Sequence, residues 1–152
     1  MKKILFFLFA FVSVGISAQE KFQISATGGY LSVLKENVGD YTFSASYDFN
    51  SFARAGLEAM LSEKTAEFGT IQKYTLFVDL FLEKNSHFAL SWGMGPAYLH
   101  SQDKFDGIGM DFRSKFYTNM FANLFLVVEM KNNISKHFNC MTQYNLGLMY
   151  RF

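Results

Sequence analysis

Residues 73–83 read KYTLFVDLFLE, apolar enough for a protein core yet carrying Lys73, Asp79 and Glu83. Taken alternately, one set is Tyr74, Leu76, Val78, Leu80 and Leu82. The other is Lys73, Thr75, Phe77, Asp79, Phe81 and Glu83. A strand sends successive side chains to opposite faces, so the segment has one wholly apolar face and one mixed, charged face. A helix would place the charges on its apolar stripe, so period two is the better reading. Which face meets water decides what kind of protein this is.

The same alternation recurs along the chain. Tyr41, Phe43, Ala45, Tyr47 and Phe49 oppose Thr42, Ser44, Ser46 and Asp48; Ala53, Ala55, Leu57, Ala59 and Leu61 oppose Arg54, Gly56, Glu58, Met60 and Ser62. Phe88, Leu90, Trp92, Met94 and Tyr98 oppose His87, Ala89, Ser91, Gly93, Gly95 and Ala97. Near the end, Leu124, Leu126 and Val128 oppose Phe125 and Glu129, and Leu146, Leu148 and Tyr150 oppose Asn145, Gly147 and Arg151. The chain is read as all-β. Seven strands are counted, near 22–32, 41–49, 52–62, 71–84, 87–100, 115–131 and 137–152. The expected total is eight, because single-chain bacterial barrels have an even number. The missing strand is expected in the loosely patterned N-terminal third.

The 152 residues suffice for one domain, with 18% aromatic and 18% charged residues, a formal charge of +1 and one cysteine, Cys140. Soluble domains are nearer 25% charged. The near-neutral charge and the lack of a basic cluster argue against nucleic acid as a partner. One thiol excludes an intrachain disulfide. The N-terminus MKKILFFLFAFVSVGISAQE pairs Lys2 and Lys3 with a short apolar run and the small residues Ser17 and Ala18. It reads as a secretory signal peptide over 1–18, leaving 19–152 as the barrel domain.

A soluble barrel would turn its apolar face inward; a membrane barrel turns it to lipid. Here the apolar faces are bulky and continuous, whereas the opposite faces hold Gly56, Ser91, Gly93, Gly95, Ala97 and Gly147, which suit a narrow lumen. The expected fold is therefore an antiparallel up-and-down transmembrane β-barrel. Its lumen is expected to hold a charge network of Arg54, Glu58, Lys73, Asp79, Glu83, Glu129 and Arg151. Short turns at 48–52, 82–88 and 130–138 are expected on one rim, with longer polar loops at 31–41, 61–71 and 101–115 on the other. The loop SQDKFDGIGMDFRSK (101–115) contains Phe105, Met110 and Phe112 among its charges, and these form a candidate contact tip.

The signal ending SAQE, the turn NISKHF (133–138) and the terminus LGLMYRF (146–152) resemble those of small outer-membrane β-barrel proteins of Gram-negative bacteria, especially the Bacteroidetes type. The resemblance implies an outer-membrane location, outer-membrane lipid as surroundings, and contact with the barrel-assembly machinery during biogenesis. It also implies that Leu146, Leu148, Tyr150 and Phe152 form the assembly signal. His87, His100 and His137 are scattered, without metal-ligand spacing, and no His, Ser and acid fall at one depth. The methionines lie on both faces, as gap-fillers do. The expectation is a non-enzymatic barrel without cofactor, serving a structural, adhesion or ligand-binding role through its longer loops. The alternatives are a lipid-modifying barrel enzyme and a secreted lipocalin-like barrel holding an apolar ligand.

Overall fold

A computed structural model describes residues 21–85, 87–102, 106–136 and 139–152. The signal segment 1–18, Phe105 and His137 lie outside the described residues. The strands are β1 (Phe22–Val33), β2 (Glu36–Asp48), β3 (Ala53–Thr65), β4 (Gly69–Lys84), β5 (Phe88–Ser101), β6 (Asp106–Phe121), β7 (Leu124–Ser135) and β8 (Asn139–Arg151). Each pairs antiparallel with its neighbours in sequence, and β8 pairs with β1 to close the barrel. Closure leaves no unpaired sheet edge. With eight strands, β1 begins and β8 ends on one rim.

The eighth strand is not in the N-terminal third. The stretch expected as a loop at 101–115 is mostly β6, and the expected strand 115–131 is two strands joined at Ala122 and Asn123. The turn was hidden by a bulge. Pairing passes from Asn119↔Phe125 to Phe121↔Leu124, leaving Met120 as an extra residue. A two-residue hairpin would otherwise switch the phase of alternation. The extra residue keeps even-numbered side chains outward on both strands, so the pattern runs through the turn unbroken. Ala122 and Leu34 both adopt left-handed φ, 46° and 53°, in two-residue turns without glycine. Neither turn carries the usual sequence marker.

The loop lengths also differ from expectation. Successive strands are separated by only two to four residues on both rims. The polar segments 31–41, 61–71 and 101–115 are largely strand ends, and 130–138 belongs with them rather than with the opposite rim. Their outward residues include Asn37, Glu63, Gln72, His100, Asp106 and Thr142, interrupted by Ile108 and Ile134. Their inward residues Leu31, Val33, Met60, Ile71, Leu99 and Met141 form a buried apolar cluster, joined by Phe68 from the β3–β4 connection. Ser101 donates a hydrogen bond to the Phe68 carbonyl at 2.6 Å, holding this ring over the barrel mouth. These strand ends form a collar with polar walls and an apolar core.

Below the collar the polarity reverses. Tyr30, Tyr41, Tyr74, Tyr98 and Tyr144 project from the outer wall three to five residues short of the rim. At about 3.3 Å per residue and the tilt usual for such barrels, the collar rises roughly 10 Å above them. Beneath lie Leu57, Leu76, Val78, Leu80, Val128, Leu146 and Leu148, all exposed. At the opposite rim, exposed phenylalanines reach the turn itself, at Phe49, Phe52, Phe121 and Phe152. Two aromatic girdles thus bracket an apolar belt, the outline of a membrane-crossing barrel.

Candidate functional site: the ionic interior

The register builds the interior. Cross-strand pairs place Asp48, Arg54, Asp79, Gly93, Arg113, Lys131 and Gln143 in a single row through β2 to β8. All are inward by parity, and their charged members are buried. Gly93 is required by close approach: a Cβ there would lie 2.1 Å from Asp79 Oδ1. Asp79 and Arg113, on either side of Gly93, approach to 3.9 Å.

The bonds cross the lumen. Glu58 on β3 accepts from Lys131 Nζ on β7 at 2.7 Å and from Arg113 Nη1 on β6 at 3.1 Å. Lys73 on β4 contacts Asp111 Oδ2 at 2.8 Å and also donates to Gln143 Oε1 on β8. Asp111 accepts from Thr75 and Asn133 at 2.9 and 2.7 Å. Glu129 bridges Lys115 at 2.7 Å and Lys131 at 3.2 Å. Gln143 and Asn145 on β8 donate to Asp40 on β2 at 2.7 and 3.1 Å. Arg54 holds Asp48 at 2.6 Å and donates to the Tyr117 hydroxyl at 2.7 Å.

Among the described residues, Arg54, Lys73, Lys84, Arg113, Lys115 and Lys131 face Asp40, Asp48, Glu58, Asp79, Asp111 and Glu129 inside the barrel. These are six charges of each sign, and Arg151, half-buried at the rim, adds one further cation. Apolar clusters close both ends: the collar core above, and Ala89, Tyr117, Phe125, Val127 and Met149 with Phe81 below. Arg54 stacks 4.8 Å from the Phe81 ring, and Arg113 stacks 4.0 Å from Phe77. Such contacts satisfy cation faces that lack hydrogen-bond partners. The arrangement fills the lumen with side chains.

Of the residues expected there, Arg54, Glu58, Lys73, Asp79 and Glu129 are buried in the lumen. Arg151 is half-buried at the rim, stacked 4.7 Å over Phe125. Glu83 is a correction. Pairing passes from Phe81↔Ser91 to Glu83↔Leu90, so Leu82 is an extra residue and Glu83 turns outward. Lys84 takes the inward place and meets Asp48 at 2.7 Å. Sequence reading misses Asp111, Arg113, Lys115 and Lys131, because their segments read as a loop and a turn. The alternation of Ile108, Met110, Phe112 and Phe116 against Asp111, Arg113, Lys115 and Tyr117 was the available signal. Met110 and Phe112 accordingly sit on the outward wall of β6 rather than on a loop tip. Leu146, Leu148, Tyr150 and Phe152 all point outward.

This inside-out, eight-stranded closed barrel is the fold of the small outer-membrane barrels. It is similar to the N-terminal β-barrel domain of Pseudomonas aeruginosa OprF, with a TM-score of 0.71 and 12% identity over 88% of this chain and 98% of that one. It is also similar to Neisserial surface protein A (TM-score 0.68, 13% identity, 86% and 96% covered). A third similar structure is Ail, the attachment invasion locus protein of Yersinia pestis (TM-score 0.58, 14% identity, 87% and 97% covered). No family model matches the sequence, and no curated protein matches it.

Proposed function

We propose that this protein is a small outer-membrane barrel with a structural, adhesion or ligand-binding role, and that it is neither a pore nor an enzyme. The observation carrying this reading is the reversed polarity of the mid-barrel: leucines and valines outside, a paired ionic network inside. Charges facing a lumen avoid the roughly 2–4 kcal/mol cost of facing mid-bilayer lipid. The packed interior argues against conduction, since side chains fill barrels of this size. It also counts against a lipocalin-like interior, which would need apolar space rather than paired charges. With short connections throughout, any surface partner would meet the collar and its turns. The Bacteroidetes-type assignment rests on the sequence motifs alone.

The direct test is a heat-modifiability gel in detergent with fractionation. A compact band that shifts on boiling, recovered from outer membranes, is expected; a soluble periplasmic product overturns the reading. An epitope inserted between Leu34 and Lys35 should be labelled on intact cells, and one at Asn50 should not. The terminal signal is proposed to act in assembly by the barrel-assembly machinery. Phe152 also packs against Phe22 in a tilted pair and edge-on against Tyr150, with ring centroids at 5.6 and 5.0 Å. Deleting Phe152 should lower folded yield in cells several-fold, while unaided refolding into detergent changes little. Equal losses in both settings would mean the ring contacts alone matter.

A further inference from the structure

The outer wall carries a groove of about 1040 Å³ that the ionic interior does not use. Its lining includes the small side chains of Ala26, Ala45 and Ala59 beside the bulkier Phe43, Leu76 and Pro96. Tyr74, Tyr98 and Ile108 line its collar end and pair across β4, β5 and β6. Two residues higher on those strands, Gln72, His100 and Asp106 form the next outward row. This row is a polar cluster. His100 Nδ1 lies 2.6 Å from Asp106 Oδ1, Tyr98 also hydrogen-bonds Asp106, and the Tyr74 hydroxyl donates to Gln72 Oε1 at 3.1 Å.

We propose that this groove binds one phosphate-bearing membrane lipid, with an acyl chain along the groove and the phosphate against His100 and Gln72. The inference rests on the membrane reading above. It is the juxtaposition that selects the occupant: an apolar slot within the lipid-facing belt ends at hydrogen-bonding groups just above the girdle. A second barrel would offer that slot another apolar wall and leave the polar row unused. With Nδ1 committed to Asp106, the Nε2 edge of His100 is the one left for a ligand. When the ring carries both protons, that edge is an N–H donor of the kind a phosphate oxygen accepts. The Gln72 amide supplies a neutral donor beside it.

Native mass spectrometry of the full barrel released from detergent micelles tests this, using phosphatidylglycerol and diacylglycerol of identical chains as probes. One retained phosphatidylglycerol per barrel is expected, at least tenfold above diacylglycerol. The double substitution Ala45→Phe, Ala59→Phe should fill the groove and abolish retention. His100→Ala, on the exposed wall, should cut phosphatidylglycerol retention about tenfold and leave diacylglycerol unchanged. Retention unaffected by either change, equal retention of the two probes, or a barrel dimer without lipid would overturn the proposal. Barrels that pass the heat-modifiability test yet retain no lipid sink this inference alone; failure to insert at all sinks the membrane reading with it.

Discussion

Along β4 the wall changes its rule within a few residues. Near Leu80 the strand turns leucine outward and Asp79 inward; near Gln72 it turns an amide outward and Ile71 inward. The same chain, in the same sheet, is inside out at one level and conventional at the next. The difference reports the solvent. In water, apolar side chains gain by clustering, and the collar core of Leu31, Ile71, Leu99 and Met141 follows. In a bilayer the surroundings are as apolar as leucine, so burying leucine in the lumen gains little. The lumen can then be given to charges, provided each finds partners.

The strongest way to break this contrast is Glu58→Gln. It leaves Lys131 with Glu129 alone and Arg113 with only the 3.9 Å contacts to Asp79 and Asp111, and removing one partner of a buried pair costs about 3–5 kcal/mol. Urea unfolding in lipid vesicles should show that loss, and adding Lys131→Met should recover part of it. An unchanged midpoint would mean the interior is wet. Next comes Leu80→Arg, a cation on the lipid face at mid-wall, expected to cost about 2–4 kcal/mol in the same assay. Tolerance there would mean the inner and outer faces are assigned the wrong way round.

Leu99→Ala probes the collar core. A Leu→Ala change costs about 2–5 kcal/mol, and the low end applies because a rim with two-residue turns can settle into the gap. Added sulfate should strengthen this apolar cluster while leaving the Glu58→Gln deficit in place. The smallest effect belongs to Gln72→Arg, on the same strand and face as Leu80 but in the collar, at about 0–1 kcal/mol. Equal costs for Leu80→Arg and Gln72→Arg would erase the boundary between the two levels.

That boundary also separates what was legible in the sequence from what was not. Mid-wall segments announce themselves by bulky apolar residues at every second position, so the inward placement of Lys73, Asp79, Arg54 and Glu129 could be read directly. In the collar the apolar residues occupy the opposite phase and are sparser, and Leu31, Val33 and Ile71 look like stray hydrophobes in polar loops. Arg113 and Lys115 were lost with that misreading, and Lys131 with the false turn beside it. Bulges account for the rest. An extra residue at Leu82 changes the face of Glu83, and one at Met120 conceals a whole hairpin. Neither leaves a mark in composition, because a bulge is a property of the pairing partner as much as of its own strand.

The closing seam has a consequence for how the molecule forms. β1 meets β8 through pairs such as Gln23↔Arg151, and β8 also supplies Gln143 and Asn145 to Lys73 and Asp40. Until the last strand arrives, Asp40 lacks these amide donors and Lys73 lacks one of its two acceptors. Closing so long a loop must precede the contacts that reward it, which makes the reaction slow and all-or-none rather than strand by strand. A half-inserted sheet would present unpaired edges and unneutralised ions to hydrocarbon at once. The seam between β1 and β8 is thus the last contact the barrel can make, and its last strand serves as the latch.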